Sequence, residues 1–366
     1  MAYVPVAFIL AGMAAYTVLA GADFGAGLWT LLAAGPGTRA VAIREHARHA
    51  MGPVWEANHV WLIFVLVVCW TGYPVAFGSI TSTLAAPLLI AAIGIIFRGA
   101  AYALRGVTDR AADAVRPAEY LFALSSILTP FALGTAVGAI ALGRVPVGNA
   151  RGNPVTSWLN PGSILVGVLA VAFSAYLAAV YLAADTTRST ERSLLPPFRR
   201  RALVAGLTSG ALALAGLLVM RSSGLNLTRG PAVVFVVISA VAGLATLALS
   251  WRSAFSLARL TAALAVAAVV VGWAAAQSPR LLPGMTVTQA AAGRPTLVAL
   301  IIAVAAGLVI LIPSLALLYT LYLRGRLDTP EHSPAAAGDH APAAPAARQA
   351  PASVADSGSG SGSVAG

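Results

Sequence analysis

The chain has 366 residues, of which 59% are hydrophobic and only 10% charged, well below the roughly 25% charged residues of soluble domains. Its 23 basic residues are all arginine, which excludes lysine Schiff-base chemistry, a Ser-x-x-Lys nucleophile and a P-loop ATPase. The net charge of +11 does not make it a nucleic-acid binder, because the arginines fall in short segments between apolar runs and not along one soluble face.

Windows of about twenty apolar residues predict an all-α, polytopic membrane protein. The spans fall near 5–33, 53–76, 80–104, 119–143, 161–184, 202–220, 231–251, 254–275 and 297–323. That is about nine helices, arranged as two four-helix bundles plus one peripheral helix. The joint at Trp251-Arg252-Ser253 demands a tight turn, and merging its flanking spans would leave eight helices. Residues 1–327 are read as the transmembrane domain. Residues 328–366, rich in Ala, Pro, Ser and Gly, are predicted to be a disordered tail.

Met1 leads into a first span too long for a signal-peptide core and lacking a basic leader, which predicts a retained helix. Arginines cluster in alternate loops, at 39–48, 105–116, 188–201 and 252–259, and recur at Arg324 and Arg326. The other loops carry the sparser Arg144, Arg151, Arg221, Arg229, Arg280 and Arg294. Cytoplasmic loops hold the excess of positive charge, so the N-terminus is expected outside and the C-terminus in the cytoplasm. The 185–201 segment carries Leu194-Leu195-Pro196-Pro197-Phe198 beside three arginines. It reads equally as a stretch lying along anionic headgroups or as a solvated connector.

The polar residues inside the spans carry the functional information. An ionisable group at mid-membrane costs roughly 2.5–3.5 kcal/mol on insertion scales and needs a partner, a cavity or a proton path. Of twelve acids, Asp23 and Glu56 fall well inside spans, Glu119 starts the fourth, and Arg98 is the one basic residue inside. At 1.5 Å per residue, Glu56 lies roughly 12 Å from Arg48, Arg98 roughly 10 Å from Arg105, and Asp23 roughly 16 Å from Ala34. All three therefore belong to the cytoplasmic half. Asp23 is expected to pair with Arg98 as a structural lock, leaving Glu56 as the titratable group.

His59, one helical turn from Glu56, could relay a proton or simply make a hydrogen bond. Asn58, sharing a face with Trp55 and Trp61, is expected to bond between helices. Gly21, Gly25 and Gly27 flank Asp23 with small residues, allowing another helix to approach the acid closely. Cys69 is the lone cysteine, so the chain has neither an intrachain disulfide nor a CxxCH haem attachment. His46 and His49 sit on a cytoplasmic loop without further ligands, and no haem and no structural metal are predicted in this chain.

Taken together, Gly21-x-Asp23-Phe24-Gly25-x-Gly27, Pro53-x-Trp55-Glu56-x-Asn58-x-Val60-Trp61-Leu62, and Phe97-Arg98 followed by Arg105 resemble subunit II of the cytochrome bd quinol oxidases. Weaker echoes are Glu119-Tyr120, Gly134-x-x-x-Gly138 and Asn160-Pro161. The motifs cover roughly the first half of the chain, and hydropathy alone covers the rest.

The resemblance implies a nine-helix subunit of the bacterial cytoplasmic membrane that pairs with a haem-bearing subunit I. It implies haem b and haem d in that partner, quinol as the substrate of the complex, contacts with membrane lipids, and room for a small accessory subunit. Glu56 stands where the family often has Asp and would belong to a cytoplasmic proton path, while Asp23 and Arg98 match the family's buried acid and arginine. Two family acids are replaced, by Ala20 and Ala103, which isolates Glu56. Two other readings use the same residues: a proton-coupled secondary transporter built on Asp23, Glu56 and Arg98, and a purely structural assembly subunit.

Overall fold

The computed structural model describes residues 1–33, 37–103, 112–187 and 192–323, with side chains left out at 48–56, 102–103, 112–120, 319 and 322–323. The tail predicted for 328–366 lies outside the described residues. The chain divides into a compact unit, Met1–Tyr319, and a second from Thr320, of which only the short helical stretch to Leu323 is described.

Helices dominate because lipid offers no hydrogen-bond partners, so each spanning segment must satisfy its own backbone. In chain order they are α1 (Tyr3–Leu32), α2 (Thr38–Gly72), α3 (Pro74–Thr83), α4 (Ala85–Ala103), α5 (Ala112–Ala141), α6 (Pro161–Thr186), α7 (Leu195–Ser222), α8 (Ala232–Trp251) and α9 (Phe255–Gln277). A two-stranded hairpin, β1 (Arg280–Leu282) and β2 (Met285–Thr286), then leads to the short α10 (Val287–Ala290) and to α11 (Arg294–Leu323). Seven helices among the described residues are long and apolar enough to cross a membrane, and the bent α3–α4 pair would make eight. Ala57–Gly72 of α2 is a shorter apolar stretch, and the nine-span expectation counts it as well.

Several boundaries differ from the hydropathy reading. The second span was expected to run to 76 and the third to start at 80, but the helix stops at Gly72. Pro74 takes the first position of α3, where its missing N–H costs nothing, while Tyr73 before it leaves the helical region. The axis then turns by 83° between α3 and α4. At Trp251 the two flanking spans stay separate helices, joined through Ser253 at φ 58°. The segment expected as a loop to 201 is helical from Leu195, again with proline in the first turn.

Packing orders the first unit. The helices α6, α7, α8 and α9 each pack on the next, with α9 returning to α6, while α1 joins α2, α5, α6 and α9, and α4 lies on α5. The α6 helix is the hub, with Leu177–Val180 and Leu182–Ala184 buried among residues of α1, α2, α7 and α9. Its start is set by Asn160, whose side chain caps the Ser163 amide, followed by Pro161. Along α5 and α6 small residues permit close approach: a Cβ on Gly134 would lie 2.8 Å from the Gly167 Cα, and one on Gly138 2.8 Å from the Ser163 Cα. The α11 helix touches α1 and α2 through Leu300 and Val304 against Phe8, Phe64 and Val68, leaving Ile302, Val309 and Ile310 exposed, as expected of a lipid-facing surface.

One end of the bundle is closed by non-spanning chain. Ser79 and Ser82 on α3 accept hydrogen bonds from the amides of Gly148 and Ala150, Tyr73 donates to the Ala2 carbonyl, and Leu282, Met285 and Val287 pack with Tyr73, Ala76 and Val145. Buried backbone polar groups in a loop need such partners.

Candidate functional site

The polar centre lies where α1, α2, α4 and α5 meet. Asp23 and Arg98, 75 residues apart in sequence, are 0% and 1% exposed. The Arg98 guanidinium grips the carboxylate with both edges of its fork, Nε donating to Oδ2 at 2.8 Å and Nη2 to Oδ1 at 2.6 Å. Nη2 also donates to the Asp23 carbonyl at 2.6 Å, and Nη1 to Ser126 Oγ at 2.8 Å. Asn58 Nδ2 reaches Asp23 Oδ2 at a longer 3.4 Å. Such charge-assisted, two-pronged pairing is the geometry that offsets the desolvation of a buried ion pair.

Aromatic faces complete the enclosure. The guanidinium carbon lies 4.2 Å from the Phe122 ring centroid and 4.9 Å from that of Phe24, within cation–π range. Among the described residues the cation is held by a carboxylate, a carbonyl, a hydroxyl and two π faces.

The glycines explain how a bulky arginine fits there. A Cβ on Gly27 would come within 2.0 Å of Ser126 Oγ and 3.0 Å of Arg98 Nη1, and one on Gly94 within 2.2 Å of Thr129 Oγ1. Gly25 brings α1 onto α6, where an added Cβ would lie 1.8 Å from the Ser174 carbonyl oxygen, and at Gly21 it would meet Leu177 at 2.9 Å. The small residues around Asp23 therefore face two different helices, α6 through Gly21 and Gly25 and α5 through Gly27. Close approach of this kind is how membrane helices gain packing without a hydrophobic driving force.

The remaining sequence candidates are distributed differently. His59 is half-buried on α2. Trp61 is also half-buried, edge-on to Phe64 at 5.9 Å. Glu56 and Trp55 belong to α2, but their side chains lie outside the described set, as do those of Glu119 and Tyr120. Among the described residues no group of three or more His, Cys, Asp or Glu side chains converges to hold a metal ion.

Sequence reasoning missed Ser126, Phe122 and Gly94, and it misjudged His46. His46 is helical and buried, with Nε2 3.2 Å from the Leu182 carbonyl and 3.7 Å from Asp185, and its ring 5.6 Å from that of Phe198. Its residue type gave no sign of this, because the partners come from α6 and α7. For Ser126 a signal existed: a hydroxyl in an apolar span usually bonds between helices or to its own backbone, and this one also donates to the Phe122 carbonyl.

Fold and site together define a polytopic, all-helical membrane protein whose centre holds a buried ion pair. A family model for cytochrome bd terminal oxidase subunit II matches residues 1–322, and the chain belongs to that family. Over 157 residues it is 28% identical to cytochrome bd ubiquinol oxidase subunit 2 of Bacillus subtilis (strain 168), a stretch covering 41% of this chain. That match spans 43% of the relative's own length, less than half of it. Its fold is similar to that of the bd oxidase from Geobacillus thermodenitrificans, with a TM-score of 0.66 over 88% of this chain and 98% of that one, at 24% identity.

Proposed function

We propose that this chain is the non-haem subunit of a cytochrome bd-type terminal quinol oxidase, an enzyme that oxidises membrane quinol and reduces oxygen to water. Haem b and haem d then belong to a haem-bearing subunit I, which this chain supports in the membrane. The observation that carries the reading is the family match across nearly the whole described chain. The positive-inside distribution of arginine sets the topology in this proposal, with the N-terminus outside and the C-terminus in the cytoplasm of the bacterial membrane.

The state of the buried charges supports a division of labour. Asp23 and Arg98 occupy one another, so neither is available to carry protons without breaking the lock. Glu56 is left as the acid of a cytoplasmic proton path, with His59 one turn further along α2 as its relay. Quinol enters the reading as the substrate of the complex, and lipids and any small accessory subunit as further neighbours.

The first test is purification of the chain from its own membranes in mild detergent, with a reduced-minus-oxidised absorption spectrum and mass spectrometry of what accompanies it. Bands of haem b and haem d together with a second multi-span protein are expected, and a spectrally silent, unpartnered chain overturns the oxidase reading. In that complex Glu56→Gln is expected to leave assembly intact and to slow quinol-driven oxygen uptake on the order of 10²-fold, the lower end for a positioned proton-transfer group. Full activity of Glu56→Gln would make the chain a structural subunit without a proton role.

A further inference from the structure

We propose that the start of α7 and the α8–α9 turn form a binding site for one anionic phospholipid, its phosphate between Arg199 and Arg200 and an acyl chain along Leu203 and Val204. The proposal stands apart from the oxidase reading and rests on a single cavity of about 410 Å³ lined by Pro196, Arg199, Arg200, Leu203, Val204 and Ser253. Two arginines and a serine hydroxyl line it together with the aliphatic side chains of Leu203 and Val204, one helical turn further along α7. Among the described residues none that lines it is acidic, so the ligand that complements it carries negative charge at one end and hydrocarbon at the other.

Three consecutive arginines divide their work here. Arg201 turns inward, its guanidinium carbon 5.0 Å from the Trp29 ring centroid and 5.4 Å from that of Phe198, with a buried Nη1 that has no hydrogen-bond partner. Arg199 is steadied by Trp251, 5.4 Å from the ring centroid. Trp251 itself is 67% exposed at the end of an apolar helix, the position in which tryptophan marks the headgroup level of a bilayer.

The apolar half of the cavity argues for a lipid over free phosphate. Val204 is 56% exposed, and the same helical stripe continues through Leu207, Leu214 and Leu218, exposed by 63%, 65% and 70%. Positions 200, 204, 207, 211, 214 and 218 recur at the three-and-four spacing of one helix face. From Val204 to Leu214 that face runs about 15 Å, the depth of one leaflet in a hydrocarbon core of about 30 Å. An inorganic phosphate would use the arginines and leave this track empty.

The test uses the complex as purified from its own membranes, placed in lipid nanodiscs doped with phosphatidylglycerol bearing a photoactivatable acyl chain, or with phosphatidylcholine of the same chain. Mass spectrometry reads the cross-link yield on the peptides covering 195–207 and 251–253. The phosphatidylglycerol yield is expected to exceed the phosphatidylcholine yield on the order of 25-fold, from about fivefold for each of the two arginines near the headgroup. The excess should vanish in Arg199→Gln/Arg200→Gln and persist in Arg221→Gln/Arg229→Gln. Equal yields from the two lipids in the unaltered complex overturn the proposal without any variant. So does loss of the excess on adding inorganic phosphate at constant ionic strength, which would mark a phosphate site instead.

Discussion

Two helix junctions in this molecule use polar side chains in opposite ways. Where α1, α4 and α5 meet, one guanidinium makes four hydrogen bonds to Asp23 and Ser126 with both charges out of water. Between α8 and α9 the links are hydroxyls: Thr246 and Thr261 lie 2.7 Å apart, and Ser239 donates to the Ala265 carbonyl at 2.9 Å. Each threonine also has its own helix to fall back on, through the Ala242 and Ala258 carbonyls. The contrast teaches that polarity between membrane helices is not one kind of glue. A charge pair is obligate, because losing one member strands the other, whereas a hydroxyl pair is optional.

The sharpest way to break that contrast is Arg98→Ala. It leaves Asp23 buried without its cation and is expected to destabilise the subunit by about 3–5 kcal/mol, read as loss of monodisperse protein after extraction and a lowered thermal midpoint. Replacing both partners in Asp23→Leu/Arg98→Leu should recover part of that loss, because no charge remains stranded. If the single variant is as stable as the unaltered chain, the obligate character of the pair is disproved.

The next effect concerns backbone approach. Gly25→Ala drives a methyl group into the Ser174 carbonyl of α6 and is expected to cost about 1–3 kcal/mol. Gly210→Ala in α7, where an added Cβ meets nothing within 4 Å, should instead be neutral or stabilising by about 0.5–1 kcal/mol. Opposite signs in the same thermal assay would show that contact, and not helix propensity, governs the glycines beside Asp23. The smallest change is expected from Thr246→Val, about 0.6 kcal/mol, the average for an interhelical hydrogen bond in a membrane. A loss as large as that of Arg98→Ala would erase the distinction between the two junctions.

Much of the charged junction was legible in the residues themselves. Asp23 and Arg98 stand out because lipid tolerates neither alone, and the small residues around Asp23 announce close packing. Which helices those glycines face was not legible, since Gly25 and Gly27 are two residues apart and meet α6 and α5 respectively. Nor could spacing reveal that Asn58 reaches Asp23, that Phe122 and Phe24 cover the guanidinium, or that His46 is enclosed by α6 and α7. The hydropathy windows failed at Tyr73 for a local reason. Apolar character continues past Tyr73 through Phe77 while the backbone breaks and turns, and a hydropathy sum carries no directional information.

From the sequence alone come the membrane class, the helical character and the presence of buried charges in need of partners. These follow from transfer energies and backbone satisfaction, which depend on local composition. Tertiary structure decided which charge met which and how the cation was enclosed. It also set the 83° turn between α3 and α4 and placed Arg199 over Trp251 but Arg201 over Trp29 and Phe198. Those outcomes depend on residues far apart in the chain arriving at one point, and only packed helices bring them there.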